Sequence, residues 1–380
     1  MGKSLLFSNV LVVDEDGVER IDVLTADGRI EKMGHGLVAK DAQAFDGRGK
    51  ILMPGFIDIH VHGANGFDVM DADAAALSGI AQALPKEGVT AFVATTMTQT
   101  EGRIARAVET AGKYRSAQGE AELLGIHLEG PFLSPEQAGA QNPEHFLKPE
   151  LDLFNHWQAL GGGRIRIVTL APELEGADKF IAGLEASGVI ASIGHSAATY
   201  EQAVASNAQH VTHLFNQMTA FHHREPGVVG AAMLDSRFRV ELIADLIHSH
   251  PAAVKLAYQQ IGAGRLILIT DAMRAKGLGY GNYDLGGQTV VVDETGARIQ
   301  TGRLAGSVLT MDRALRNVRD LAQCSLPELA QMSSGNAAAA LGLHGKGKIA
   351  RGMDADLVLM TEALEVELTV CRGEIAFSAF

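Results

Sequence analysis

Residues 57–62 read Ile57-Asp58-Ile59-His60-Val61-His62, and how this stretch is understood decides how the rest of the chain is read. It follows Pro54-Gly55 and stops at Gly63, so turn-forming residues bound a short run of strand-forming ones. In an extended strand, residues i and i+2 point to one face, which aims both imidazoles at a common point beyond the strand end.

The stretch extends Gly55–His60, the first of eight apolar, strand-like runs. The others are Val89–Thr95, Leu123–Leu128, Ile165–Leu170, Val189–Ile193, His210–Phe215, Arg239–Leu246 and Leu266–Thr270. Helical patterns separate most of them, among them Ala72–Lys86, Glu101–Gln118, Gly176–Ser187, Pro251–Ile261 and Leu309–Gln323, while the segment after the sixth run is weakly patterned. Eight strands with interleaved helices predict an α/β fold, a TIM-type (β/α)8 barrel over residues 54–345. Short β-type runs precede it (Leu5–Val13, Ile21–Thr25, Arg29–Met33) and follow it (Ala355–Met360, Glu367–Cys371, Glu374–Phe377). They predict a small β-sandwich-like domain assembled from both termini, residues 1–53 and 346–380.

The 380 residues are 47% hydrophobic and 20% charged, the composition of a globular protein with a sizeable core. A net charge of −13 disfavours nucleic acid and anionic membrane surfaces as partners, because both would be repelled at long range. Cys324 and Cys371 have no metal-type spacing and form no disulfide framework, so a reducing cytoplasm is the expected compartment. No export signal or membrane-spanning run is read in the chain.

In a parallel barrel, chemistry gathers at the C-terminal ends of the strands. Glu129 ends the third run, His195 follows the fifth, His213 lies in the sixth and Asp271 follows the eighth, on the ring that already holds His60 and His62. His127, of opposite strand parity to Glu129, reads as a packed or supporting histidine. Imidazole and carboxylate ligands together suit a divalent ion: zinc, iron, manganese or cobalt, one or two per subunit. Asp271 is placed to move a proton between a water and a leaving group.

The order His-x-His, Glu, His, His, Asp on strands one, three, five, six and eight resembles the amidohydrolase superfamily. Longer blocks resemble its N-acetylglucosamine-6-phosphate deacetylases: Met53–Gly63, His127–Phe132, Gly194–Ser196, Thr212–Met218, Arg224–Gly227, Thr270–Met273, Leu304–Ser307 and Gly352–Val358. The resemblance implies Glu129, His195 and His213 as the main metal ligands, Asp271 as general base and acid, and His60 and His62 as ligands of a second ion in members that keep the pair. It also implies a homodimer, Arg224 as phosphate ligand, Asn216 and Gln217 along the sugar phosphate, and His248 against the substrate and its oxyanion. Gln141 stands where some members have a histidine and is expected to bond a sugar hydroxyl. The implied reaction is removal of the N-acetyl group of N-acetyl-D-glucosamine 6-phosphate, giving glucosamine 6-phosphate and acetate in amino-sugar catabolism.

Three alternatives stand beside it. A deacetylase of the galactosamine epimer has no distinguishing residue in the sequence. A cyclic-amide hydrolase commonly bridges two ions with a modified Lys on the fourth strand, and Ile165–Glu173 contains none. A non-catalytic scaffold should have lost ligands, and all six are present. His250, two residues from His248, competes with it for the substrate contact, and Arg224 competes with a reading as a solvated loop charge.

Overall fold

The computed structural model describes residues 4–380. Eight parallel strands lie side by side in chain order: Phe56–Val61, Val89–Thr95, Glu122–Glu129, Ile165–Leu170, Ile190–Ile193, His210–Val211, Arg239–Ile243 and Leu266–Ile269. The ring closes through Asp271 N–H to His60 O and His62 N–H to Ala272 O, both 2.9 Å. The first two strands are buried along their whole length, as strands covered on both faces must be.

All eight expected runs are strands, and the sixth is shorter than its apolar run. His210–Val211 pairs with both neighbours, but His213 and Phe215 take φ of 33° and 75° and turn the chain out of the ladder. The weakly patterned segment beyond is nevertheless a helix, Gly227–Leu234. Residues 227–232 are all buried, and a helix enclosed on every side shows no apolar stripe. By contrast Glu101–Lys113 buries Ile104, Ala107, Val108 and Ala111, the one-sided spacing that made it legible.

An antiparallel three-stranded insert, Gly281–Leu285, Gln288–Asp293 and Gly296–Ile299, was not expected from the sequence. It follows the last barrel strand and is held near the C-terminal mouth by Gln288 Nε2 to Ala140 O (2.5 Å), by Arg303 Nη1 to Gly139 O (3.4 Å) and by Gln99 Nε2 to Gly286 O.

The terminal segments form one sheet, in the order Glu374–Ser378, Val366–Cys371, Leu357–Thr361, Lys50–Pro54, Leu5–Asp14, Gly17–Ala26 and Arg29–Gly34. The long strand Leu5–Asp14 pairs with Gln43–Asp46 at one end and with Ile51–Leu52 at the other, bending at Asn9, whose φ is 55°. Phe7, Val10, Leu52, Leu357 and Leu368 form a core separate from that of the barrel. Lys346 joins the two bodies, with Nζ 2.7 Å from Glu122 and 2.5 Å from Asp356. Among the described residues, no helix is long and apolar enough to cross a membrane.

Candidate active site

A cavity of about 220 Å³ opens at the C-terminal mouth and is lined by His62, Glu129, His195, His213, His248 and Asp271 among others. His60 lies just beneath, fully buried. Glu129 is the hub. Its Oε1 lies 3.1 Å from His213 Nε2, 3.3 Å from His195 Nε2 and 3.5 Å from His60 Nε2, and its Oε2 lies 3.3 Å from His62 Nε2. Asp271 Oδ1 completes the ring, 3.2 Å from His62 Nε2 and 3.5 Å from His60 Nε2. All six residues singled out in the sequence are therefore brought together.

Three of them occupy strained backbone. His195, His213 and Asp271 have φ of 48°, 33° and 47°, a region that costs non-glycine residues about 1–3 kcal/mol each and clusters at functional sites. Each side chain thereby turns inward directly after its strand. Beside His195, Gly194 is dictated by space: a Cβ there would lie 2.7 Å from Thr169 Cγ2 and 2.8 Å from Thr212 Cβ.

The donor set fits a divalent ion. His62 donates through Nδ1 to Thr95 O (3.2 Å) and His195 through Nδ1 to Gln137 O (2.8 Å), which turns both Nε2 atoms inward. His60 Nε2 is buried with no hydrogen-bond partner. Two triads, His60–His62–Glu129 and Glu129–His195–His213, have ligand atoms close enough to share an ion each.

Electrostatics point the same way. Burial alone would lower the proton affinity of His62, but its hydrogen bonds to Asp271 and Glu129 raise its pKa to about 9. Burial opposes ionisation of Glu129 and Asp271, yet the charge of His60 and the bonds from neighbouring histidines hold both below the usual carboxylate range. Such a cluster attracts cations. His127 is set apart: burial, then the charge of His60, push it down to about 3, and it donates to Ile59 O and accepts from the Thr169 hydroxyl. It is the packed histidine that strand parity predicts.

The expected substrate residues divide. His248 lines the cavity, and its Nδ1 donates to Asp245 Oδ2 at 2.7 Å, which fixes the ring and leaves Nε2 for the cavity side. His250 instead caps the helix Pro251–Ile261 by accepting from Ala252 N–H, which removes it as a competitor. Gln141 lines the cavity, but both ends of its amide are engaged: Oε1 accepts from Thr98 N–H (2.8 Å) and Nε2 donates to Glu129 Oε2 (2.7 Å). In this arrangement it orients the hub carboxylate. Asn216 and Gln217 line the cavity, with Asn216 Nδ2 bonded to the His213 and Leu214 carbonyls. Arg224 does not line the cavity of its own chain. It is exposed on a turn, with Nη1 2.8 Å from His223 Nε2.

Sequence reasoning missed several contributors. Arg298 and Arg303, on and just after the insert, line the cavity. Glu173 anchors the turn after His195 through Ser196 Oγ and Ala197 N–H. Glu241, in the seventh strand, contacts His60 Nδ1 at 2.9 Å. The last had a readable signal: a glutamate inside an apolar barrel strand is costly unless it is paired.

The amidohydrolase family profile matches residues 51–376. The chain belongs to the amidohydrolase family. Among curated relatives of this amidohydrolase, the N-acetylglucosamine-6-phosphate deacetylase of Lysinibacillus sphaericus is 48% identical over 98% of this chain and 97% of its own length. That of Bacillus subtilis is 45% identical over 99% and 98%. Among solved structures, a mutant N-acetyl-D-glucosamine-6-phosphate deacetylase from Mycobacterium smegmatis, in complex with N-acetyl-D-glucosamine-6-phosphate, is 32% identical. It aligns over 99% of this chain and 100% of its own, with a TM-score of 0.92.

Proposed function

We propose that this amidohydrolase removes the acetyl group of N-acetyl-D-glucosamine 6-phosphate, yielding D-glucosamine 6-phosphate and acetate in amino-sugar catabolism. The observation that carries the reading is the convergence of four imidazoles on the Glu129 carboxylate, with Asp271 against two of them, at the floor of an open cavity. Relatives at 45% and 48% identity bear that activity in their names.

Glu129, His195 and His213 would hold one ion and His60, His62 and Glu129 a second, Glu129 being common to both sets. A divalent ion in such a site lowers the pKa of bound water to about 7 and polarises a carbonyl oxygen. Asp271, ionised and beside both His-x-His rings, accepts the proton of the attacking water on Oδ1 and delivers it to the departing amine nitrogen. His248 faces the substrate and its developing oxyanion through Nε2, its ring held by Asp245. The segment 216–217 lies along the sugar phosphate.

Arg224 sits outside its own chain's cavity, so its proposed phosphate contact comes from a second copy in a homodimer. Arg298 and Arg303 add positive charge to the cavity within the chain. The free cysteines, Cys324 and Cys371, accord with a cytoplasmic location.

Acetate release should be measured from N-acetylglucosamine 6-phosphate, its galactosamine epimer and unphosphorylated N-acetylglucosamine. Preference for the first supports the reading. Preference for the epimer would replace the substrate, and equal turnover with and without phosphate would remove the phosphate-anchoring role.

A further inference from the structure

We propose that Glu241 is a positioning residue that holds His60 in the one tautomer able to bind a cation, and thereby sets the occupancy of the ion position formed by His60, His62 and Glu129. The inference rests on the two-ion reading above and adds a residue to it.

Glu241 lies in the seventh barrel strand, Arg239–Ile243, with no exposed surface. Its Oε2 accepts from His60 Nδ1 at 2.9 Å and from the His213 backbone N–H at 3.3 Å, and His210 Nε2 lies 3.6 Å from its Oε1. Among the described residues, no lysine or arginine is paired with it. An ionised carboxylate can only accept, so the proton of a neutral His60 must sit on Nδ1. The Nε2 lone pair is then directed at the space it shares with Glu129 Oε1 and Asp271 Oδ1, each 3.5 Å away. With the proton on Nε2 instead, two lone pairs would face each other across 2.9 Å.

Two of the other rings are fixed differently. His62 and His195 donate to the Thr95 and Gln137 main-chain carbonyls, which are neutral. Of these three rings only His60 has a charged acceptor, which makes it a more basic ligand. A bare carboxylate in the barrel interior is unfavourable, and its counter-charge can reach it only through histidine rings. An ion on His60 Nε2 would supply that charge at the far side of the ring. The bond from His213 N–H ties the same carboxylate to the strand end that carries the other ion position, so one side chain spaces the two.

The test compares wild-type protein with Glu241→Gln, which keeps shape and an acceptor oxygen, and Glu241→Met, which keeps volume alone. Ion equivalents per chain are counted by elemental analysis across buffered free zinc or manganese, and ¹⁵N NMR reads the His60 tautomer in zinc-loaded wild-type protein, where the ring is neutral. Wild type is expected to take up two ions and to show Nδ1–H at His60. In the variants the first ion should bind as in wild type. The second should bind about 10–100-fold more weakly, with Met worse than Gln. Unchanged second-ion affinity in a Met variant that unfolds cooperatively would overturn the proposal, as would equal weakening of both ions. Uptake of a single ion by wild type would overturn it too, while leaving the hydrolase reading intact. If neither variant folds, the spectrum of zinc-loaded wild type still decides: a proton on His60 Nε2 sinks the idea.

Discussion

His195 and His213 bring their Nε2 atoms to 3.3 Å of each other, both facing Glu129 Oε1. Two imidazole lone pairs at that separation repel unless a cation lies between them or one ring is protonated. Replacing either histidine with Asn should weaken the ion shared with Glu129 by more than about 100-fold, beyond the loss typical of an outer-shell partner, and activity should fall with it. Metal analysis after dialysis, beside a kcat measurement, checks this; full activity in an ion-depleted variant would contradict it.

Asp271 has a different signature. Asp271→Asn keeps the size of the side chain and one oxygen but cannot take a proton. We expect kcat to fall by about 10²–10⁴-fold with ion content largely retained. The acid limb of the pH–rate profile should flatten, because the group whose ionisation shapes it is gone.

Ion uptake should release protons. In ion-free protein the His62 pKa is raised to about 9, so at pH 7 the ring is charged and must give up its proton to expose Nε2. Calorimetry in buffers of different ionisation heat should show proton release near neutrality, and apparent affinity should rise with pH up to about 9. The same shift has a stability consequence in the absence of ions. The folded value lies above the unfolded 6.5, so this contribution is complete below pH 6.5 and is lost as pH rises through about 9.

Arg224→Gln should act on recognition alone. Losing a charge-assisted hydrogen bond, worth about 1.5–3 kcal/mol, predicts a KM for the phosphorylated sugar raised roughly 10-fold or more. Turnover of the unphosphorylated sugar should be unaffected. Equal effects on both would place Arg224 outside phosphate binding, and sedimentation of the same preparations would report the proposed dimer.

Gly194→Ala tests the packing behind the site. The added Cβ would meet Thr169 and Thr212 at 2.7–2.8 Å, with no free space to accept it. Overpacking of this kind costs typically about 1–3 kcal/mol, and here it would also displace the adjacent His195. A lowered melting temperature together with weaker ion binding is the expected pair of results.

Much of this was legible in sequence, for local reasons. The apolar run Val89–Thr95 and the helix Pro251–Ile261 are reproduced to the residue, because a continuous apolar run and a one-sided helical pattern are written in neighbouring side chains. His60 and His62 share a face through alternation alone. The helix Gly227–Leu234 was faint because enclosure on all sides erases the periodic signal. The insert Gly281–Ile299 was overlooked because nothing local says that a hairpin will fold back over the mouth.

By itself the sequence determined which residues carry ligand-type side chains, their strand parity, and their order around the ring. Those properties depend on residue type and on spacing along a regular backbone. Only the tertiary structure decided which groups meet. Glu241 reaches His60 across 181 positions, Gln141 bonds Glu129 through its amide, and Arg224 does not line its own chain's cavity. The cause is physical: a buried polar group must find its partner in three dimensions, and closing the barrel brings together strand ends that no local pattern relates.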